Sequence, residues 1–475
     1  MKHNNLLILL IIGVITVISI TSGPGCANII PPTGGPRDSL PPVLVSVTPP
    51  DTARNFNAKR IVIEFNEFVD LDRIQENLLV SPLPKINPTV VRRLRIVTVT
   101  IKDTLEENTT YTIDFGNAIK DINEGNVLKN FTYLFSTGSF IDSMELTGKV
   151  IIAETGKTDS TLIVMLHTNI DDSAVINERP RYITRVDGNG NFHFHHLPPA
   201  TYTIYALKDE GGQRKYLNPQ QLFAFSDSAV TTQVTPEPIT LYAYTEPDTG
   251  ARATTTSLPR PGIGRNTQDR AANRLRIETN LSGGMLDLLD SLTLNFQTPL
   301  VNFDSSKVLL TNDNYDPLSG YYYIRDTSNK KFTLVYNWTP NTDYNLIFDT
   351  TFATDTSGRK LPRTDTLAFR TKKESDYGEL RLRLLNLDLT KNPVLQFVQG
   401  DKVVHSHVLN GREYNVKLFK PGEYDLRILH DNNQNGVYDP GSFFGIHRQP
   451  EKVIPLSRKL TIKANWNNQV DITLE

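Results

Sequence analysis

The chain has 475 residues, with 50 Lys and Arg against 52 Asp and Glu, and a net charge of -2 offers no basic field to hold nucleic acid. At about 150 residues per domain, this length implies roughly three to four domains. Hydrophobic residues make up 38%, with 18 Tyr, 21 Phe and 4 Met, a balance that favours strands, and the 1 Cys excludes an internal disulfide.

At the N-terminus, Lys2 and His3 precede an apolar run of 15 residues, Leu6 to Ile20. A membrane-spanning helix needs about 20 such residues, whereas the core of a signal peptide needs about 7–15. Ser22, Gly23 and Gly25 then lead into Cys26. Small residues before a cysteine suit the peptidase that cuts lipoprotein precursors, and the stretch resembles a bacterial lipobox, departing from it at Gly23 and Pro24. That resemblance implies a signal peptide over 1–25 and a diacylglycerol thioether on Cys26. A plain cleaved signal and an uncleaved anchor remain the alternatives. Several acyl chains, each contributing about 0.8 kcal/mol per buried methylene, make a durable anchor. Residues 26–41 then read as a tether, because 27–42 hold five prolines and two glycines without apolar periodicity. The lipoprotein reading places the protein in the cell envelope, at the outer membrane. Ala27 and Asn28, rather than acidic residues, follow the cysteine, which favours the periplasmic side.

Over 42–138, Ile61, Ile63 and Phe65, then Val97, Val99 and Ile101, then Tyr111, Ile113 and Phe115 alternate with polar residues. Such period-2 patterning predicts half-buried antiparallel strands, with one helical turn in DLDRIQENLLVSP. The pattern returns over 274–372, where Phe296, Tyr344 and Phe348 match Phe65, Tyr111 and Phe115. The segments PPVLVSVTPPDTARNFN and EFNEFVD resemble the SbsA-type bacterial Ig-like domain of Bacteroidetes surface lipoproteins.

A second pattern occupies 145–245 and returns over 378–475. Its clearest part is a DGNGN turn followed by LPPATYTI, and Pro421 and Tyr424 match Pro199 and Tyr202. These segments resemble the carboxypeptidase-regulatory, prealbumin-like sandwich. Residues 246–273 are rich in Gly, Pro, Thr and Arg and read as a flexible linker. The expected fold class is therefore all-β: tandem Ig-like and prealbumin-like β-sandwich domains behind a lipoprotein signal peptide, forming a spacer or binding rod.

Candidate chemistry is sparse. In DNNQNGVYD, oxygen-bearing Asp431, Asn433, Asn435 and Asp439 fall at positions 1, 3, 5 and 9 of an EF-hand-like loop, with Gly436 at 6 and the Val437 carbonyl at 7. Ser442 stands where a bidentate Glu belongs, so weak Ca2+ binding and a self-satisfied Asx turn both fit. His193 and His195 share a strand face but lack an identifiable third ligand, and His405 and His407 read the same way. No hydrolase, P-loop or dinucleotide motif is present.

The tripeptide Asp-(Ser/Thr)-(Ala/Leu/Met/Thr) recurs, with its hydroxyls at Ser39, Thr52, Thr104, Ser143, Ser160, Ser173, Ser228, Ser291, Thr350 and Thr366. Composition alone predicts roughly two occurrences. The excess resembles O-glycosylation acceptors of Bacteroidetes envelope proteins, although Asp-Ser and Asp-Thr also start turns. The expected function is a non-catalytic, lipid-anchored envelope protein with a structural or binding role, whose partners are the membrane and a glycan or another envelope protein. The alternative is a glycan-binding accessory lipoprotein of a polysaccharide-use system, using Tyr321, Tyr322, Tyr323 and Trp338 as platforms.

Overall fold

The computed structural model describes residues 11–16, 38–234, 236–246 and 274–474. Apart from short helical turns it is built from strands, so the chain is all-β. Contacts divide it into two compact units, Met1–Ile141 and Asp142–Glu475. No helix among the described residues is long and apolar enough to cross a membrane.

The first unit holds one sandwich. Leu44–Thr48, Arg60–Phe65, Ile96–Thr100 and Thr89–Arg93 form one antiparallel sheet in that spatial order. Thr132–Ser136, Thr110–Asp114 and Leu79–Ser81 form the facing sheet. The predicted faces are the buried ones: Ile61, Ile63, Phe65, Val97, Val99, Ile113 and Phe115 share a core with Tyr133 and Phe135. The expected helical turn is Ile74–Asn77.

In the second unit, residues 275–371 repeat this strand order. Glu278–Thr279, Leu292–Asn295, Lys331–Val335 and Tyr322–Arg325 form one sheet. Met285–Leu286, Asp365–Thr371, Asp343–Phe348 and Val308–Asn312 form the other. The likeness extends to single hydrogen bonds. Tyr111 Oη accepts from Glu106 N–H at 2.9 Å, and Tyr344 Oη accepts from Thr339 N–H at 3.1 Å. Thr137 Oγ1 donates to Glu106 O at 2.6 Å, and Thr371 Oγ1 donates to Thr339 O at 2.6 Å.

A second sandwich type also occurs twice in this unit. Met144–Ile152 lies between antiparallel Asn191–Leu197 and parallel Ile239–Ala243. Gly378–Leu385 likewise lies between Glu413–Phe419 and Asn467–Thr473. The facing sheets run Tyr182–Arg185, Leu162–His167, Thr201–Lys208, Phe223–Phe225, and Lys402–Val408, Pro393–Gln399, Gly422–His430, Lys452–Pro455. Each has a tyrosine corner: Tyr202 Oη donates to Pro198 O at 3.4 Å and Tyr424 Oη to Lys420 O at 2.9 Å. Gly148 lets the parallel pair approach, because a Cβ there would lie 2.1 Å from Ile239 O.

These two sandwiches pack directly against each other. Phe443, 3% exposed, inserts among Tyr205, Tyr216, Phe223 and Phe225. Its N–H donates to Glu246 Oε1 at 3.1 Å, so Glu246 is an anchor although the sequence assigned it to the linker. Gln449 Nε2 donates to Phe225 O at 3.0 Å, and Val453 N–H to Ala153 O at 2.9 Å. Burial of aromatic area, which composition cannot assign to a partner, accounts for the docking. The Ig-like repeat is tied on as well: Tyr377 Oη donates to Asp287 Oδ1 at 2.8 Å and accepts from Leu288 N–H at 2.7 Å. Burial alone would raise the pKa of Asp287, but hydrogen bonds from Leu289 N–H, Tyr377 and Lys372 outweigh it and hold the carboxyl below its usual range.

Candidate ligand sites

Cys26, most of the signal segment and residues 247–273 lie outside the described residues. The other candidates are visible, and they divide according to what already satisfies their polar atoms.

The Asp431–Asp439 loop follows the strand Gly422–His430 and curls around buried Asp431. The two carboxylate oxygens of Asp431 accept from Asn435 N–H at 3.2 Å and Gly436 N–H at 2.7 Å. Asn433 Oδ1 accepts from Asn435 N–H, and Asn435 Oδ1 from Val437 N–H. Asp439 Oδ2 accepts from the amides of Asn433 and Asn435 at 2.6 and 2.7 Å. The oxygens proposed as ligands are thus already engaged as an Asx-rich loop. A residue not found from sequence joins them: buried Glu451 accepts from Asn432 N–H at 2.7 Å and Asp439 N–H at 3.0 Å. Burial raises its pKa most, and the Asp431 and Asp439 charges add to the rise. Glu451 thus ties the two ends of the loop together through its backbone. Its twenty-residue offset from Asp431 hid it from a loop-based reading.

The hydroxyls of the Asp-Ser and Asp-Thr tripeptides are mostly exposed. Ser39, Thr52, Thr104, Ser143, Ser160, Ser173, Ser228 and Thr366 face solvent, while Ser291 and Thr350 are half-buried. Several of the preceding aspartates cap turns: Asp159 Oδ1 accepts from Thr161 N–H at 2.8 Å, and Asp349 Oδ1 from Thr351 N–H at 2.8 Å.

The aromatic platforms do not assemble. Trp338 is buried against Tyr344 and Phe369, and Tyr321 and Tyr323 pack on the same core. Only Tyr322 of that tyrosine run is exposed, because alternation along Tyr322–Arg325 turns its neighbours inward.

The histidine pairs diverge. His405 Nε2 lies 3.0 Å from Tyr414 Oη, with no carboxylate partner among the described residues. His193 and His195 instead meet Glu145, at 3.0 Å from Nε2 of His193 to Oε2 and 3.3 Å from Nδ1 of His195 to Oε1. Glu145 is the third group that the sequence did not reveal. Hydrogen bonds from the two histidines, outweighing slight desolvation, hold its carboxyl below the usual range.

Residues 38–137 match the model of the bacterial Ig-like domain. This Ig-like match covers the first sandwich and a minority of the chain. No curated protein sequence matches the chain. Among solved structures, the Bacillus anthracis TIE protein is similar at 11% identity and a TM-score of 0.17, over 94% of this chain and 76% of that one. The N-terminal part of the bacterial S-layer protein SbsC aligns at 18% identity and a TM-score of 0.16, over 41% of this chain and 42% of that one. The major pilin subunit BcpA of Bacillus cereus aligns at 12% identity and a TM-score of 0.17, over 70% of this chain and 99% of that one. Scores this low carry no argument about role, and the fold rests on the sheets and the Ig-like match.

Proposed function

We propose that this chain is a non-catalytic structural or binding protein of a bacterial cell envelope, anchored by lipid on Cys26. The observation that carries the reading is the placement of the sole cysteine directly after an apolar run and SGPG, ahead of a proline-rich tether. The match of residues 38–137 to a bacterial Ig-like domain supports the compartment. Consistent with a structural role, Asp121 caps a turn by accepting from Glu124, Gly125 and Asn126 N–H, and Asp187 does so from Asn189 and Asn191 N–H. The outer membrane is the proposed location, and the exposed Asp-Ser and Asp-Thr hydroxyls are proposed glycan acceptors.

Replacing Cys26 with Ala tests the anchor. The protein is expected to leave the membrane fraction and lose fatty-acid labelling, and persistence of both in the variant overturns the reading. Intact-mass measurement of protein from its native host tests the glycans, which appear as mass added at those hydroxyls.

A further inference from the structure

The cluster of Glu145, His193 and His195 is produced by a fault in strand register. Along Met144–Ile152 and Asn191–Leu197, Leu146 pairs with Phe194 and Met144 with Leu197. One residue, Glu145, therefore faces two, His195 and His196, which is a β-bulge. His196 absorbs the extra step with φ 56° and turns its Nδ1 to Asp142 O at 3.1 Å. Phe192, Phe194 and Leu197 stay in the core as a result, while His193 and His195 remain together on the outer face. Glu145, between Met144 and core residue Leu146, points to that same face.

The two imidazoles lie side by side, with ring centroids 3.4 Å apart and planes 35° from parallel. One ligand atom from each of the three side chains falls within 4.8 Å of the others. Donor atoms bound to one zinc ion at about 2.0–2.2 Å, in tetrahedral geometry, lie about 3.3–3.5 Å apart. The Glu145 carboxylate spans the two imidazoles at close to that spacing, with Oε2 3.0 Å from Nε2 of His193 and Oε1 3.3 Å from Nδ1 of His195.

We propose that Glu145, His193 and His195 bind a zinc-class divalent cation on the outer face of this sheet. Two imidazole nitrogens and one carboxylate oxygen select borderline metals such as Zn2+, Co2+, Ni2+ or Cu2+, whereas Ca2+ and Mg2+ require oxygen donors. Three protein ligands leave a coordination position open to solvent. The ion links two neighbouring strands, so binding stabilises the sandwich that contains them.

The test uses protein purified without a polyhistidine tag, titrated calorimetrically with Zn2+ and spectroscopically with Co2+. One equivalent of each is expected to bind, with Co2+ giving visible absorption. Glu145→Gln and His193→Gln should each weaken binding at least tenfold, while His405→Gln should not. Absence of binding to the wild type, or undiminished binding to a His193→Gln, His195→Gln double variant, overturns the proposal. A second measurement needs no variant: Zn2+ should protect His193 and His195, but not His405 and His407, from diethyl pyrocarbonate, read by peptide mass. Equal modification of all four with and without Zn2+ also overturns it.

Discussion

The ring of Phe443 meets the ring of Phe223 edge-on, with centroids 5.1 Å apart and planes at 68°, joining two sandwiches whose sequences are far apart. Phe443 lies between the strands Gly422–His430 and Lys452–Pro455, in a segment that contributes little to its own module's core. Its burial comes from the neighbouring sandwich.

Phe443→Ala is therefore expected to weaken docking rather than unfold one module. Removing a buried Phe costs about 3–5 kcal/mol, and the loss should split or broaden the unfolding of residues 142–475. Urea denaturation followed by fluorescence checks this, and a single unchanged transition counts against it.

Asp355 is 2% exposed and receives Arg359 Nε at 2.7 Å, Thr298 Oγ1 at 2.6 Å, and the N–H groups of Ser357 and Arg359. Arg359→Met preserves volume but leaves the buried carboxylate without its cation. A loss of about 2 kcal/mol is expected, below the usual cost for a fully buried pair because the guanidinium keeps some solvent contact. Chemical denaturation of the variant measures it.

His167 is 2% exposed, its Nε2 has no partner among the described residues, and its ring packs edge-on to Tyr205 at 5.7 Å. Desolvation lowers its pKa from 6.5 to about 4, against a smaller opposing effect of Glu178. The unfolded chain then binds the proton more readily, so stability is full above pH 6.5, falls as the pH drops, and levels off near pH 4. The total loss is about 3 kcal/mol. Stability against pH for His167→Gln should lack this component, and parallel curves for variant and wild type would refute it.

Ca2+ entering the Asp431–Asp439 loop must displace side-chain amides now bonded to Asp439. If it does so, millimolar Ca2+ raises the melting temperature of the wild type but not of Asp431→Asn or Glu451→Gln. No calorimetric heat and no thermal shift would leave the loop as a turn.

What could be read from the sequence follows from the range of each signal. Alternation along RIVIEF fixes a face within six residues, so Ile61, Ile63 and Phe65 could be placed, as could the match of Tyr111 with Tyr344. Glu145 and His193 are 48 residues apart and meet only through a bulge, which leaves no local pattern. Glu451 reaches Asn432 and Asp439 from the far end of a long loop, which likewise leaves no local pattern. Trp338 and Tyr323 looked available for ligands because aromatic identity does not distinguish a platform from a core. The adjacent aromatics in GSFFGIH were the overlooked signal, since a loop with two phenylalanines needs somewhere to bury them.

The parallel pairing in each sandwich of the second type has a mechanical meaning. Its first and last strands run side by side in the same direction, Gly148–Ile152 with Ile239–Ala243 and Glu379–Leu385 with Asn467–Thr473. Chain entering at one end of such a pair leaves at the other. Tension between the two ends pulls the strands along their length, so the hydrogen bonds of the ladder are loaded in shear and share the force rather than opening one by one. A domain wired in this way resists being drawn out.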